Sequence, residues 1–146
     1  MSRPVAIICT LLVGLMAALQ PAANASFSKL VGDLGAAFAS LVISAVLIGV
    51  LLLAFGHPGR LSSLGSIRAE HVFGGVAGAA IVAVTLVAVR SLGAGTLVSL
   101  FVTAQLIMAM VADQFGWLGL QHHAIHATRL LGVAFAIAGT ILVTRT

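Results

Sequence analysis

Residues 34–55 have the sequence LGAAFASLVISAVLIGVLLLAF, and this run contains no charged side chain. A helix that spans the hydrocarbon core of a bilayer needs about 20 mainly apolar residues. The run has that length, and it ends at Gly56-His57-Pro58-Gly59-Arg60, where glycine and proline stop a helix. These residues therefore predict one transmembrane helix followed by a turn.

The whole chain shares the apolar character of this run. Of its 146 residues, 61% are hydrophobic and 7% are charged, and the mean hydropathy is +1.23. A soluble domain carries about 25% charged residues, and the charges present here are too few to cover a soluble core of this size. We therefore expect an integral membrane protein.

Four further apolar runs of span length lie between polar breaks. The break Arg90-Ser91-Leu92-Gly93 is so short that we expect the helices on either side of it to form a tight antiparallel hairpin. The predicted fold class is an all-α bundle of five transmembrane helices, with residues 1–146 as a single transmembrane domain. The predicted helices cover residues 4–23, 34–55, 72–89, 94–115 and 127–143.

The first run has a second interpretation. Arg3, the apolar residues 5–19 and the sequence Ala23-Asn24-Ala25 also fit a secretory signal peptide with its cleavage site. Cleavage would leave four spans instead of five. Mass spectrometry of the intact protein would distinguish the two interpretations.

The net charge of +4 comes from basic residues scattered singly near the ends of the runs, where long cationic side chains reach the lipid headgroups. Scattered charges form no stripe that follows a phosphate backbone, so we expect no nucleic acid partner. With five spans, the side of the N-terminus carries four basic residues and the other side carries three. They are Arg3, Arg60, Arg68 and Arg129 on the first side, and Lys29, Arg90 and Arg145 on the second.

This near-balance of charge bears on orientation in the membrane. An excess of Lys and Arg in cytoplasmic loops sets orientation, and four against three gives almost no preference. Insertion in both orientations would let one chain supply both halves of an inverted-repeat transporter as an antiparallel homodimer. The alternative is that Arg3 and Arg68 fix a single orientation.

Small residues recur at intervals of about one helical turn on three of the predicted helices. Small side chains let helix backbones approach closely in lipid, so they predict packing faces, either within the chain or between subunits. The residues are Ala36, Ser40 and Ser44 on the second helix, Gly74, Gly75 and Gly78 on the third, and Gly132 and Gly139 on the fifth.

Two polar residues of the first helix, Gln20 and Asn24, are spaced to face the same way. Pro21 between them removes a backbone donor and frees the carbonyl of Ala17. Irregular, polar backbone at membrane depth is tolerated only against protein or a water-filled cavity. The pattern predicts either a substrate-lining patch or a cap and turn near the interface.

The fourth helix carries Gln105 and Asp113 on one broad face, about two turns apart. A carboxylate at the bilayer centre costs about 3 kcal/mol, so Asp113 should lie near a helix end, be paired, or be functional. Arg129, at the start of the fifth helix, is its expected partner. We expect Asp113 either to couple transport to protons or to form a structural ion pair with Arg129.

Other chemistry has little support in the sequence. His122, His123 and His126 are close together, but no fourth ligand is evident, so we expect a hydrated, pH-sensitive loop rather than a metal site. The sequence contains no phosphate-binding glycine loop, HExxH motif or serine elbow. We therefore expect no enzyme activity, no metal and no cofactor.

Motifs on four of the helices together point to a known family. They are Gly14, Gln20 and Asn24 on the first helix; Gly74, Gly75 and Gly78 on the third; Leu92-Gly93-Ala94, Gln105 and Asp113-Gln114-Phe115-Gly116 on the fourth; and Arg129 and Gly132 on the fifth. With them, nearly the whole chain resembles the half-size, five-helix branch of the drug/metabolite transporter superfamily, the YdcZ family of inner-membrane proteins. The resemblance implies a ten-helix assembly of two inversely oriented units, formed by a homodimer, by two related chains or by a fusion.

The resemblance also argues against cleavage after Ala25, because cleavage would discard Gln20 and Asn24. We expect a secondary transporter subunit in a bacterial-type inner membrane, working by alternating access on a small solute, with a cavity lined by Gln20, Asn24 and Gln105. The alternative is a non-transporting accessory subunit whose small-residue faces dock onto a larger membrane complex.

Overall fold

The computed structural model describes residues 2–66, 69–117 and 121–145. Arg68, one of the basic residues counted on the N-terminal side of the membrane, lies outside the described residues. All five α-helices are long and apolar enough to cross a membrane, and the described ranges contain no strand. The prediction of an all-α membrane protein with five transmembrane helices is confirmed. The helices are α1 Arg3–Val31, α2 Asp33–Phe55, α3 Ala69–Leu92, α4 Ala94–Phe115 and α5 Ala127–Thr144, and a 3-10 helix, Pro58–Ser66, follows α2.

Helix α1 is longer than the sequence suggested. It continues through Pro21 to Val31, past the predicted end at residue 23. Proline removes one backbone hydrogen bond, but its fixed φ angle is compatible with a helix. Pro21 also lies on the buried face of α1, so packing offsets the lost hydrogen bond. Asn24 therefore lies inside a helix and not at its end.

Helices α1 to α3 form one compact unit, Met1–Ser91. Gly32 alone joins α1 to α2, with φ +76° and ψ 165°. A residue with a side chain is strained there by about 1–3 kcal/mol. The buried residues of α1 lie in its second half, and those of α2 lie in its first two turns. They are Pro21, Asn24, Ala25 and Ser28 on α1, and Ala36 and Ala37 on α2.

Helix α3 packs against α2 in the same unit. Val82 and Leu86 of α3 form an apolar cluster with Ala37, and Leu86 is fully buried. Arg90 lies one helical turn beyond Leu86 on the same face. This packing brings the end of α3 to the corner between α1 and α2.

Helices α4 and α5 form the second compact unit, Leu92–Thr146. Thr140, which is buried, donates a hydrogen bond to the Ser99 carbonyl at 3.2 Å, and its hydroxyl lies 2.7 Å from that of Thr103. Interhelical hydrogen bonds in membranes contribute about 0.6 kcal/mol on average. They fix how α4 and α5 are rotated against each other.

Candidate functional site

A groove follows the seam between α4 and α5 and has a volume of about 330 Å³. Small-molecule sites measure about 300–1,000 Å³, so the groove suits a small solute. Most of its lining is apolar, and two charged side chains stand at one end. The lining residues are Leu106, Ala109, Met110, Asp113, Arg129, Gly132 and Val133.

The two charged residues of the groove are in contact. Asp113 Oδ2 and Arg129 Nη1 are 3.1 Å apart, and the side chains are 29% and 40% exposed, respectively. Asp113 and Arg129, which were predicted to pair, therefore form an ion pair that a molecule in the groove can reach. The predicted polar residue Asn24 does not line this groove.

Main-chain hydrogen bonds hold the segment between α4 and α5 beside this ion pair. The His123 N–H donates to the Asp113 carbonyl at 3.0 Å, and the Ile125 N–H donates to Gln114 Oε1 at 2.9 Å. Helix α5 begins at Ala127, which places Arg129 in its first turn. The backbones of Asp113 and Arg129 are therefore fixed relative to each other by local contacts.

Two of the three histidines before α5 form backbone hydrogen bonds in this segment. His123 donates to α4, and the carbonyl of His126 accepts from the Arg129 and Leu130 N–H groups. No three His, Cys, Asp or Glu side chains come together as a metal site in the described ranges.

A second polar cluster lies at the α1–α2 corner, in the first unit. Arg90 binds Asp33 through two contacts, Nη2–Oδ1 at 2.5 Å and Nη1–Oδ2 at 3.1 Å, and it also donates to Ser28 Oγ. The Ser28 hydroxyl in turn donates to the Ala25 carbonyl. Arg90 thus joins three helices. The sequence pattern did not predict this cluster, although the charge distribution places Lys29 and Arg90 on the same side of the membrane.

The three residues predicted to line a cavity differ in their surroundings. Asn24 is 8% exposed, on the buried face of α1, and no hydrogen bond to its side chain occurs in the described part of the chain. Gln20, one turn earlier on α1, is exposed. Gln105 is exposed on α4, in the second unit, and it does not line the groove.

The small residues predicted to form packing faces have few neighbours within the described chain. A Cβ added at Gly74, Gly75, Gly78 or Gly132 would meet no heavy atom within 4 Å. Ser40 is half-buried, and exposed Ser44 donates to the Ser40 carbonyl at 2.9 Å. No helix of the described chain therefore approaches closely at these glycines.

Comparison with known proteins settles the family. A family model described as "Putative inner membrane exporter, YdcZ" matches residues 5–142. The chain belongs to the YdcZ family. No curated protein and no solved structure matches it.

The family match covers both polar clusters of this YdcZ-family chain, from α1 into the last turns of α5. The description of the family is that of an inner membrane exporter of the drug/metabolite transporter type. Transport across the inner membrane is therefore the general role, and the groove between α4 and α5 is the candidate solute site.

Proposed function

We propose that the chain is one subunit of a secondary transporter that moves a small solute across a bacterial-type inner membrane by alternating access. The observation that carries this proposal is the groove of about 330 Å³ between two membrane helices, with an ion pair at one end. Ionisable side chains on membrane helices are costly and mark solute or ion pathways. The family match supports an exporter.

The residues of the groove have separate roles in this proposal. Asp113 binds a proton or a cationic group of the solute, and Arg129 holds the Asp113 carboxylate in place through their 3.1 Å contact. The apolar residues Leu106, Met110 and Val133 pack against the rest of the solute. We also propose, from their sequence pattern, that Gln20, Asn24 and Gln105 line a cavity for the solute.

The second subunit is another copy of this chain, or a related half-transporter, in the opposite orientation. The open glycines of α3 offer the close approach that helix pairs use in lipid. The near-equal charge on the two sides of the membrane permits both orientations.

Reporter fusions after residue 146 test this dual orientation. We expect signal both from a fluorescent protein that matures only inside the cell and from a phosphatase that is active only outside. Removing Arg3 and Arg68 should shift the ratio, because basic residues favour the inside. Signal from one reporter alone would contradict dual orientation.

Efflux from proteoliposomes tests the transport function. Vesicles containing the purified full chain are loaded with an isotopically labelled metabolite mixture, and the solutes that leave are identified by mass spectrometry. We expect a few solutes to leave these vesicles and not protein-free vesicles of the same lipid. An efflux profile identical to that of protein-free vesicles would contradict transport by this chain alone and would favour an accessory subunit.

A further inference from the structure

We propose that the groove between α4 and α5 binds a small zwitterion, a molecule that carries an ammonium group and a carboxylate close together beside an apolar group. This inference rests on the proposed transport function and names the class of solute. It follows from a comparison of the two ion pairs and from the charge of the groove lining.

The Asp113–Arg129 pair has unused binding capacity. One contact, Oδ2–Nη1 at 3.1 Å, joins the two side chains, and no other hydrogen bond to either charged group occurs in the described ranges. A guanidinium has five N–H donors, and a carboxylate has about four acceptor positions. The pair can therefore accept a ligand between or beside its two members without breaking other contacts.

The Asp33–Arg90 pair of the first unit differs in this respect. Its guanidinium makes two contacts with the carboxylate and a third with the Ser28 hydroxyl. A bidentate pair with an added hydrogen bond is suited to holding helices together. Neither residue lines the groove of about 330 Å³ between α4 and α5. The two pairs thus differ in how much of their hydrogen-bonding capacity is already used within the described chain.

The lining of the groove determines which charge a ligand can carry. Among the described residues, Asp113 and Arg129 are the charged side chains that line the groove, and their charges cancel. A ligand that is only cationic would take Asp113 and leave Arg129 without a partner, and an anionic ligand would do the reverse. A bound ligand covers the groove and excludes water from it, and a charge left there without a partner is costly. A zwitterion pairs its ammonium with Asp113 and its carboxylate with the planar fork of Arg129.

The rest of the groove suits an apolar group on the same ligand. Leu106, Ala109, Met110 and Val133 line it. Gly132 contributes no side chain, and the space beside it is open for 4 Å. A branched group of a few carbon atoms would contact these side chains while its charged end stays at the ion pair.

Three probes with the same isobutyl group test the inference on the purified full chain in lipid nanodiscs. L-leucine is a zwitterion, L-leucine methyl ester is a cation, and N-acetyl-L-leucine is an anion. We expect equilibrium binding of leucine to be tighter than that of either other probe by about tenfold or more, the loss expected when one charged contact is missing.

Variants of the two charged residues sharpen the test. Both D113N and R129Q should weaken leucine binding by about tenfold or more. D113N should reduce methyl ester binding but not N-acetyl-leucine binding, and R129Q should do the opposite. If R129Q folds poorly, R129K serves instead, because it keeps the charge and loses the fork. D33N is the matched control, and it should leave the preference for leucine unchanged.

The outcomes separate this inference from the transport proposal. If the methyl ester or N-acetyl-leucine binds as tightly as leucine, the solute class is wrong while the groove remains a solute site. If none of the three probes binds, the inference is also wrong. The metabolite efflux experiment then decides separately whether the transport function stands.

Discussion

Replacing Asp113 with Asn is expected to reduce solute efflux from proteoliposomes strongly and to leave the helices folded. Asparagine keeps the size of the side chain, but it carries no charge and cannot bind and release a proton. A hydrogen bond to a charged group contributes about 1.5–3 kcal/mol, and about 1.4 kcal/mol changes an equilibrium tenfold. Efflux of the solutes found with the unmodified protein should therefore fall by about tenfold or more in the variant.

The double variant D113N/R129Q distinguishes transport from a purely structural ion pair. Removing both charges leaves no unpaired charge in the groove, so the thermal stability lost in D113N should largely return. Efflux should not return, because the solute has lost both charged partners. If D113N retains efflux and its pH dependence, Asp113 does not couple or bind as proposed. If efflux recovers in the double variant, the pair is structural.

Replacing Arg90 with Gln is expected to lower the thermal unfolding temperature of the protein in detergent. Arg90 contacts Asp33 twice and Ser28 once, so a single side chain joins α1, α2 and α3. Its loss leaves the Asp33 carboxylate without its partner at the edge of the membrane. Since glutamine cannot form the bidentate contact, the three helices of the first unit should separate at a lower temperature.

The control for this variant is R145Q. Arg145 follows the last turn of α5, and its side chain forms no ion pair in the described ranges. Its replacement should hardly change the unfolding temperature. The double variant D33N/R90Q should lose less than the two single variants added together, because the residues are coupled. Equal effects of R90Q and R145Q would show that the cluster does not hold the unit together.

The five helices could be predicted because span length and apolarity are properties of local sequence. Residues 34–55, without a charge, differ from the observed α2 by a single residue at the start. The contact between Asp113 and Arg129 could be expected as well, because a short segment joins the end of α4 to the start of α5 and brings them to the same side. Neither the helices nor this contact required knowledge of which residues far apart in the sequence meet in the fold.

The contacts of Arg90 could not be predicted in the same way. A helix that is apolar on all sides gives no sign of which face meets its neighbours. Small residues and hydrogen bonds set that rotation in lipid, and the relevant partners, Ser28 and Asp33, belong to other helices.

The burial of Gln20 and Asn24 could not be predicted from local sequence either. Their spacing indicated a shared direction, but the buried residues in the described part of α1 begin at Pro21, so Asn24 is covered and Gln20 is not.

The Gly32 corner also determines where the chain can be cut or tagged. A protease needs an exposed, flexible stretch of backbone, and insertions are tolerated at loop tips. One glycine with φ +76° between two helices provides neither. An epitope inserted there would force α1 and α2 apart. The segment Pro58–Ser66, outside the α-helices, is the better position for a cleavage site or an antibody epitope.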